Sequence, residues 1–392
     1  MKEVKSCLQM DVFGEQLNVD IFTSPIMWLL LLVVFCLIFL YRWHRQSLIL
    51  ENLSDKYVFI TGCDTGFGNL LAKQLDKRGM KVLAACLTNE GAENLKKETS
   101  SRLQAIILDI TDSKSVSAAA EKVAATVGSK GLWGLVNNAG CTSVAVPIEW
   151  LKKEDFLKVL NVNLIGMVDV TVHLLHLVRK AQGRIVNVSS SLGRLTFPCV
   201  SGYSMSKYGV EAFSDALRIE LSDFGVKVSI IEPGSFQTRM LLSVDDNINN
   251  ISRIWNNLPK EIKDSYGKQY YESWSFLGSS FQTHMPHSAR ESHLLRHTLL
   301  HICHNILSTG RAVWQCINCS KRLPGLAIPR LYEATNCMEH ALTAVHPWTR
   351  YSPGWDSKLY IIPISYFPTV LSDYLLCRYI PKVAHKYQPN EA

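Results

Sequence analysis

Tyr203-Ser204-Met205-Ser206-Lys207 sets a phenol and an ammonium four residues apart, so that on a helix both project from one face. A lysine cation near a tyrosine stabilises the phenolate and draws its pKa below the ordinary value of about 10, which makes a usable base near neutral pH. The pair alone arises often by accident on ordinary surface helices. Its setting gives it weight: Asn187-Val188-Ser189-Ser190 closes an apolar run shortly before it, and Asn161-Val162-Asn163-Leu164-Ile165-Gly166 lies one element earlier.

A second cluster stands far upstream. Thr61-Gly62-Cys63-Asp64-Thr65-Gly66-Phe67-Gly68 follows an apolar run and opens an amphipathic one. Glycines at such a turn let the backbone approach a pyrophosphate, whose charge is favoured at the N-terminus of the next helix. The spacing is Gly-x-x-x-Gly-x-Gly rather than Gly-x-Gly-x-x-Gly, and the strand-turn-helix setting lifts it above chance.

Elements able to position these groups follow from periodicity. Tyr57–Ile60, Lys81–Ala85, Ala105–Leu108, Gly134–Val136, Arg184–Val188 and Val226–Ile231 read as buried strands. Helical stretches such as Asn69–Lys77 and Ser113–Val127 lie between them, ending at Gly79 and Gly128. Strands alternating with helices predict an α/β fold, a Rossmann-like doubly wound parallel sheet covered on both faces, without internal repeats. Beyond about residue 240 the pattern loosens into helical, polar and aromatic segments, including Ile251–Trp274. Leu359–Ile380 is strongly apolar but broken by Pro363, Pro368 and Asp373, which favours a packed lid or interfacial helix over a second span.

The charge-free run Ile21–Tyr41, about 31 Å long as a helix, matches the hydrocarbon core of a bilayer, with Trp28 and Trp43 near its ends. No small-residue cleavage site follows it, so it reads as a retained anchor rather than a signal peptide. Arg42 and Arg45 directly after it lean toward a cytosolic catalytic domain. Asn250-Ile251-Ser252 and Asn318-Cys319-Ser320 are sequons that would report lumenal exposure if used. The 41 Lys and Arg against 34 Asp and Glu contain no long run of one charge, which argues against a nucleic-acid partner. Eleven cysteines, irregularly spaced, read as reduced thiols. His301, Cys303, His304, Cys316 and Cys319 could in principle hold zinc, but the compact spacing and turn glycines of a zinc knuckle are missing, so no metal is expected.

Taken in order, the glycine turn, Asn137-Asn138-Ala139-Gly140, Asn163, Ser190, Tyr203, Lys207 and Pro233-Gly234 resemble the short-chain dehydrogenases/reductases over about residues 55–240. Asp55–Asp64, Gly131–Gly140, Cys337–Thr343 and Arg350–Asp356 are similar to the microsomal retinol and hydroxysteroid dehydrogenase branch, as is the N-terminal anchor. The resemblance implies Tyr203 as general acid/base, Lys207 lowering its pKa and binding the nicotinamide ribose, Ser190 on the reacting oxygen, and Asn163 holding a relay water. It implies a cofactor cleft lined by Gly62, Asp64, Gly66, Phe67, Gly68, Asp109 (adenine), Asn138, Gly140, Lys207, Pro233 and Thr238 (carboxamide). Cofactor choice is expected after the second strand, at Cys86-Leu87-Thr88, where an acid would bind a ribose 2′-hydroxyl and an arginine a 2′-phosphate. Neither stands there, and without a basic residue at Leu87 or Thr65 a 2′-phosphate has no partner, so NAD is expected over NADP.

The resemblance further implies a lipophilic alcohol as substrate, retinol or a 3α- or 17β-hydroxysteroid, an endoplasmic reticulum membrane location, and pairing of two copies through helices. The expected organisation is an extension over 1–20, an anchor over 21–41, a linker over 42–55, a catalytic domain over 56–281, an atypical insertion over 282–336, and over 337–392 a substrate- and membrane-facing extension of the same domain. Two features depart from the branch: Met27-Trp28-Leu29-Leu30 looks like its usual start, and the 282–336 stretch is longer than its pattern. An insertion that displaced the substrate loop would leave a non-catalytic nucleotide-fold scaffold or lipid-binding protein, the competing reading.

Overall fold

The computed structural model describes residues 25–238, 244–272 and 328–377. The chain divides into two units, Met1–Leu48 and Ile49–Ala392. Residues 1–24, most of the 282–336 stretch with the His301–Cys319 group, and the last residues of the C-terminal extension lie outside the described residues.

The described part of the first unit is one helix, α1 (Pro25–Ser47), whose side chains from Trp28 to Tyr41 are exposed on every side. From Met27 on it is long and apolar enough to cross a membrane. The helix runs on past the charge-free stretch that ends at Tyr41. Neither Pro nor Gly interrupts Arg42–Ser47, and His44 and Arg45 suit the carbonyl end of the helix, so it continues to Ser47. The polar connector is correspondingly shorter.

The second unit holds a seven-stranded parallel sheet: β1 (Tyr57–Ile60), β2 (Lys81–Cys86), β3 (Leu103–Ile107), β4 (Gly134–Asn137), β5 (Arg184–Val188), β6 (Lys227–Ile231) and β7 (Arg350–Tyr351). Their order across the sheet is β3-β2-β1-β4-β5-β6-β7. Alternate residues of each strand point to opposite faces. Val58, Ile60, Val82, Ala84, Val136 and Val186 pack with Leu71 and Leu75 of α2 (Gly66–Lys77) and with Met338 and Leu342 of the helix Tyr332–Thr343. Phe59, Leu83, Leu135, Ile185 and Val228 pack on the other side with α4 (Ser113–Val127) and α6 (Met167–Lys180), through Val116, Val123, Val170 and Leu174. Burial on both faces is why these strands read as continuous apolar runs. β1 lies between β2 and β4, so successive connections leave it in opposite directions and open a crevice beyond the strands' C-terminal ends.

The remaining helices are α3 (Asn89–Lys97), α5 (Lys153–Leu160), α7 (Ser201–Glu220), α8 (Val244–Asn257), α9 (Lys260–Tyr266), α10 (Tyr332–Thr343), α11 (Ile362–Ser365) and α12 (Thr369–Cys377). α8 and α9 replace the single stretch expected from Ile251, because Pro259 cannot continue a helix and instead starts α9. Pro363 and Pro368 similarly divide the apolar C-terminal segment into α11 and α12. β7 carries no periodic signal, being two residues long. It is held to β6 from Ile230 N to Thr349 O (2.8 Å) and from Glu232 N to Tyr351 O (2.7 Å).

Candidate active site

β1 delivers the glycine turn to the crevice. Gly62 has φ +71°, and a Cβ there would stand 2.8 Å from the Ala139 Cα, so only glycine fits both the conformation and the approach. The Asn138 side chain donates to Thr61 O (2.9 Å) and Gly62 O (3.0 Å), and the Thr61 hydroxyl accepts from the Asn138 and Ala139 amides (3.0 Å each). Asn138, expected to line the cleft, thus locks the turn to the end of β4. Gly68 lies under this contact, where a Cβ would meet Gly62 O at 2.4 Å. Thr65, at the start of α2, makes no side-chain cap, which leaves first-turn amides of that helix for an anion.

β5 and α7 present the catalytic candidates. Ser190 follows β5 and caps the turn Ser191–Gly193 through its hydroxyl, which accepts from Leu192 N (3.1 Å). The Tyr203 phenol, on the first turn of α7, is buried on the side of Ser190, whose hydroxyl favours its ionised form. Lys207, one turn on and 5% exposed, donates from Nζ to Val188 O (2.9 Å), with its ammonium 5.6 Å from the Tyr203 ring centroid. Burial pushes the Tyr203 phenol up to about 12, against the influence of Ser190, and pulls Lys207 down to about 8. Burial is thus the leading influence on both groups. The Lys207 ammonium is turned toward the end of β5 and is itself buried.

Asn163 is 1% exposed and sits in a π turn, Asn161–Gly166, between α5 and α6. Such turns open the regular helical ladder and recur at functional sites. Its amide is fully engaged: Oδ1 accepts from Cys141 N (2.8 Å), and Nδ2 donates to Cys141 O (2.9 Å) and Ser206 Oγ (3.0 Å). Ser206 donates in turn to Tyr203 O (2.6 Å), tying the π turn to the catalytic helix. Ser206 was passed over in the sequence, although it stands inside the Tyr-x-x-x-Lys spacing.

Thr238 comes to the glycine turn, its Cβ 3.9 Å from the Cβ position of Gly66, and Phe67 meets Phe236 edge to face at 5.4 Å. Pro233 O accepts from Ser191 N (3.0 Å), which links this loop to the Ser190 turn. Gly140 lies half-buried just before Cys141. Asp356 also holds the loop, accepting from Ser235 N (2.6 Å), while Gly234 N donates to Pro353 O (3.0 Å). Asp356 was legible only as part of the Arg350–Asp356 wording and carried no role. Asp109 stands apart beyond β3, where Oδ1 accepts from the Thr111 amide (2.9 Å) and hydroxyl (2.7 Å). The Asp64 carboxylate does not face the turn it belongs to. It reaches across to accept from Leu87 N (2.8 Å), Thr88 N (3.0 Å) and Thr88 Oγ1 (2.7 Å).

Two apolar clusters draw on the segments that follow β4 and β5. One joins Val146 and Trp150 to Ile251, Trp255, Tyr266 and Tyr270 of the α8–α9 region, with Trp150 and Trp255 centroids 5.1 Å apart. The other joins Leu195 and Phe197 to Tyr360, Ile361, Ile364 and Leu376. Among the described residues, no group of three or more His, Cys, Asp or Glu is placed to hold a metal ion.

A parallel sheet with a nucleotide crevice and a Ser-Tyr-Lys cluster at its edge defines a short-chain dehydrogenase, and the family model for "short chain dehydrogenase" matches residues 56–249. The chain is 48% identical over 358 residues to the human protein named 17-beta-hydroxysteroid dehydrogenase type 6, covering 91% of this chain and 99% of its relative. It is 48% identical to mouse retinol dehydrogenase 7 and 49% identical to mouse retinol dehydrogenase 16, each match covering 89% of this chain and 96% of the relative. The chain belongs to the short-chain dehydrogenase family, in the branch that contains these retinol and hydroxysteroid dehydrogenases, and is an oxidoreductase.

Proposed function

We propose that the protein is a membrane-anchored, NAD-dependent dehydrogenase of a lipophilic alcohol, retinol or a 3α- or 17β-hydroxysteroid. The observation that carries the reading is the Ser190-Tyr203-Lys207 cluster in a fold that also gathers two apolar clusters from the segments after β4 and β5, with relatives named for both substrate classes. A nicotinamide dinucleotide suits the crevice: uncapped amides at the start of α2 would take the pyrophosphate, and Lys207 and Thr238 would hold the nicotinamide half. When bound, it accepts hydride from the substrate carbon or returns it.

The chain's own residues supply proton chemistry. Tyr203 Oη takes the hydroxyl proton of the alcohol during oxidation and returns one to the forming alkoxide during reduction, while Ser190 Oγ holds the reacting oxygen. Lys207 favours the phenolate and binds the nicotinamide ribose. Asn163, whose side-chain amide is fixed by Cys141 and Ser206, holds a water that relays the proton. Asp109 takes the adenine side of the cleft.

The helix α1 tethers the enzyme to the endoplasmic reticulum membrane with the catalytic unit in the cytosol. A tether suits a substrate dissolved in lipid, and so do α11 and α12, which leave Tyr366, Val370 and Tyr374 exposed at 72%, 84% and 60%. Met205, Tyr208 and Ile219 on α7 and Val172 on α6 offer an exposed apolar face for pairing of two copies.

The test is turnover in isolated membranes, following NADH formation with all-trans-retinol and separately with 3α- and 17β-hydroxysteroids. Tyr203→Phe removes one hydroxyl and should lower turnover by about a thousandfold while leaving the fold intact. Equal turnover in wild type and Tyr203→Phe would remove the proposed base. Inactivity of the wild type on every alcohol, and on the corresponding aldehydes and ketones with NADPH, would favour the non-catalytic scaffold.

A further inference from the structure

Nucleotide folds of this kind read the 2′ position of the adenosine ribose at the end of the second strand. Here that strand ends at Cys86 and is followed by Leu87 and Thr88, neither charged. An acid is nonetheless present. Asp64 leaves the glycine turn and lays its carboxylate on the two consecutive amides of Leu87 (2.8 Å) and Thr88 (3.0 Å) and on the Thr88 hydroxyl (2.7 Å). These three donors stand at the N-terminus of α3, where Thr88 also caps the helix by accepting from Gly91 N (3.0 Å). Amides and a hydroxyl gathered at a helix N-terminus would otherwise suit a phosphate. Gly91 is shaped to the same contact, since a Cβ there would stand 2.4 Å from Asp64 Oδ1. Among the described residues no lysine or arginine lies within ion-pair distance of Asp64.

We infer that Asp64 determines cofactor selectivity by filling, with an anion of the protein's own, the place that a 2′-phosphate would need. The assignment deepens the NAD reading above and rests on it. A carboxylate offers roughly four acceptor sites, and three are taken by Leu87 and Thr88, so one is left for a neutral ribose 2′-hydroxyl to donate into. A 2′-phosphate carries a charge of about −1.5 to −2 and can donate nothing useful there; it meets like charge and finds its donors occupied. Discrimination thus comes from the glycine turn, although it acts at the end of β2.

The test is equilibrium binding of NADH and of NADPH, which differ only in the 2′-phosphate, to the full chain in lipid nanodiscs. Energy transfer from tryptophan to the reduced nicotinamide reports binding without turnover. Wild type should favour NADH by about a hundredfold. Asp64→Ser, which empties the three donors, should shrink that preference by at least tenfold. Wild type binding NADPH as tightly as NADH overturns the assignment and needs no variant. NADH binding with an unchanged preference in Asp64→Ser overturns the assignment alone. No NADH binding to wild type overturns the nicotinamide reading and this assignment with it.

Discussion

Replacing Lys207 by methionine should separate the proton chemistry of the site from its architecture. Tyr203 and Lys207 share one buried environment and titrate as a pair, with values of about 12 and about 8, so the first proton leaves near pH 8. The pair that has lost one proton includes the phenolate-ammonium form, which is the form able to take a proton from an alcohol. Oxidation should therefore rise with pH through about 8, and reduction should fall over the same range. Without the lysine, Tyr203 alone must ionise near 12. In wild type the phenolate-ammonium form is roughly 10⁻⁴ of the singly deprotonated pair, so at pH 7.5 the competent fraction is roughly 2–3 × 10⁻⁵ with or without the lysine, and the variant is told apart by an oxidation rate that keeps rising past pH 8 where wild type levels off. Stability should change with pH too. The folded-state value of about 8 lies below the ordinary 10.5, so the buried ammonium destabilises the fold fully below pH 8, and the cost fades as pH rises toward 10.5. That cost is about 3 kcal/mol. Losing the Nζ bond to Val188 O offsets about 1 kcal/mol of the relief, so Lys207→Met should melt higher than wild type at pH 7 and not at pH 10.5. The assay is initial oxidation rate at saturating cofactor from pH 6 to 10.5, with thermal unfolding measured alongside. A rising limb still centred near pH 8 in Lys207→Met, merely lower in height, would refute the shared titration.

Gly62→Ala should destabilise the protein by about 1–3 kcal/mol and weaken NADH binding, because a methyl at φ +71° runs into the Ala139 backbone; chemical denaturation and nucleotide titration would check the two effects. Arg350→Met should cost about 3–5 kcal/mol, seen as a lowered unfolding midpoint, since it leaves the buried Glu211 of α7 without its cation and Glu232 beyond β6 with Arg194 alone. Full stability in that variant would show that Arg194, 3.0 Å from Glu232, neutralises the cluster alone. Val370→Asp with Leu371→Asp should raise KM for a bilayer-dissolved alcohol several-fold with little change in kcat, if the exposed face of α12 meets lipid. An unchanged KM would remove that face from the substrate's route.

What the sequence disclosed depended on whether a feature is local. β1 and β5 were read to the residue, and α4 at both ends, because a buried strand or a capped amphipathic helix writes its own period: Asp112 caps α4 at one end and Gly128 stops it at the other. β7 could not be read that way. Arg350 and Tyr351 become a strand through bonds to β6 and charges on α7, and none of those partners lies within a hundred residues in sequence. The candidate site divides along the same line. Tyr203, Lys207, Ser190 and the glycine turn were legible as spacing, whereas the balance of their proton affinities was not, since it is set by burial that only the folded packing creates. Asp64 shows the limit most clearly. The search for a cofactor-reading acid looked after the second strand, where the chain offers Leu87 and Thr88, and the acid arrives there from 23 residues upstream through a carboxylate that touches both. Selectivity in such a crevice belongs to a place in space, and any segment whose side chain reaches that place can supply it.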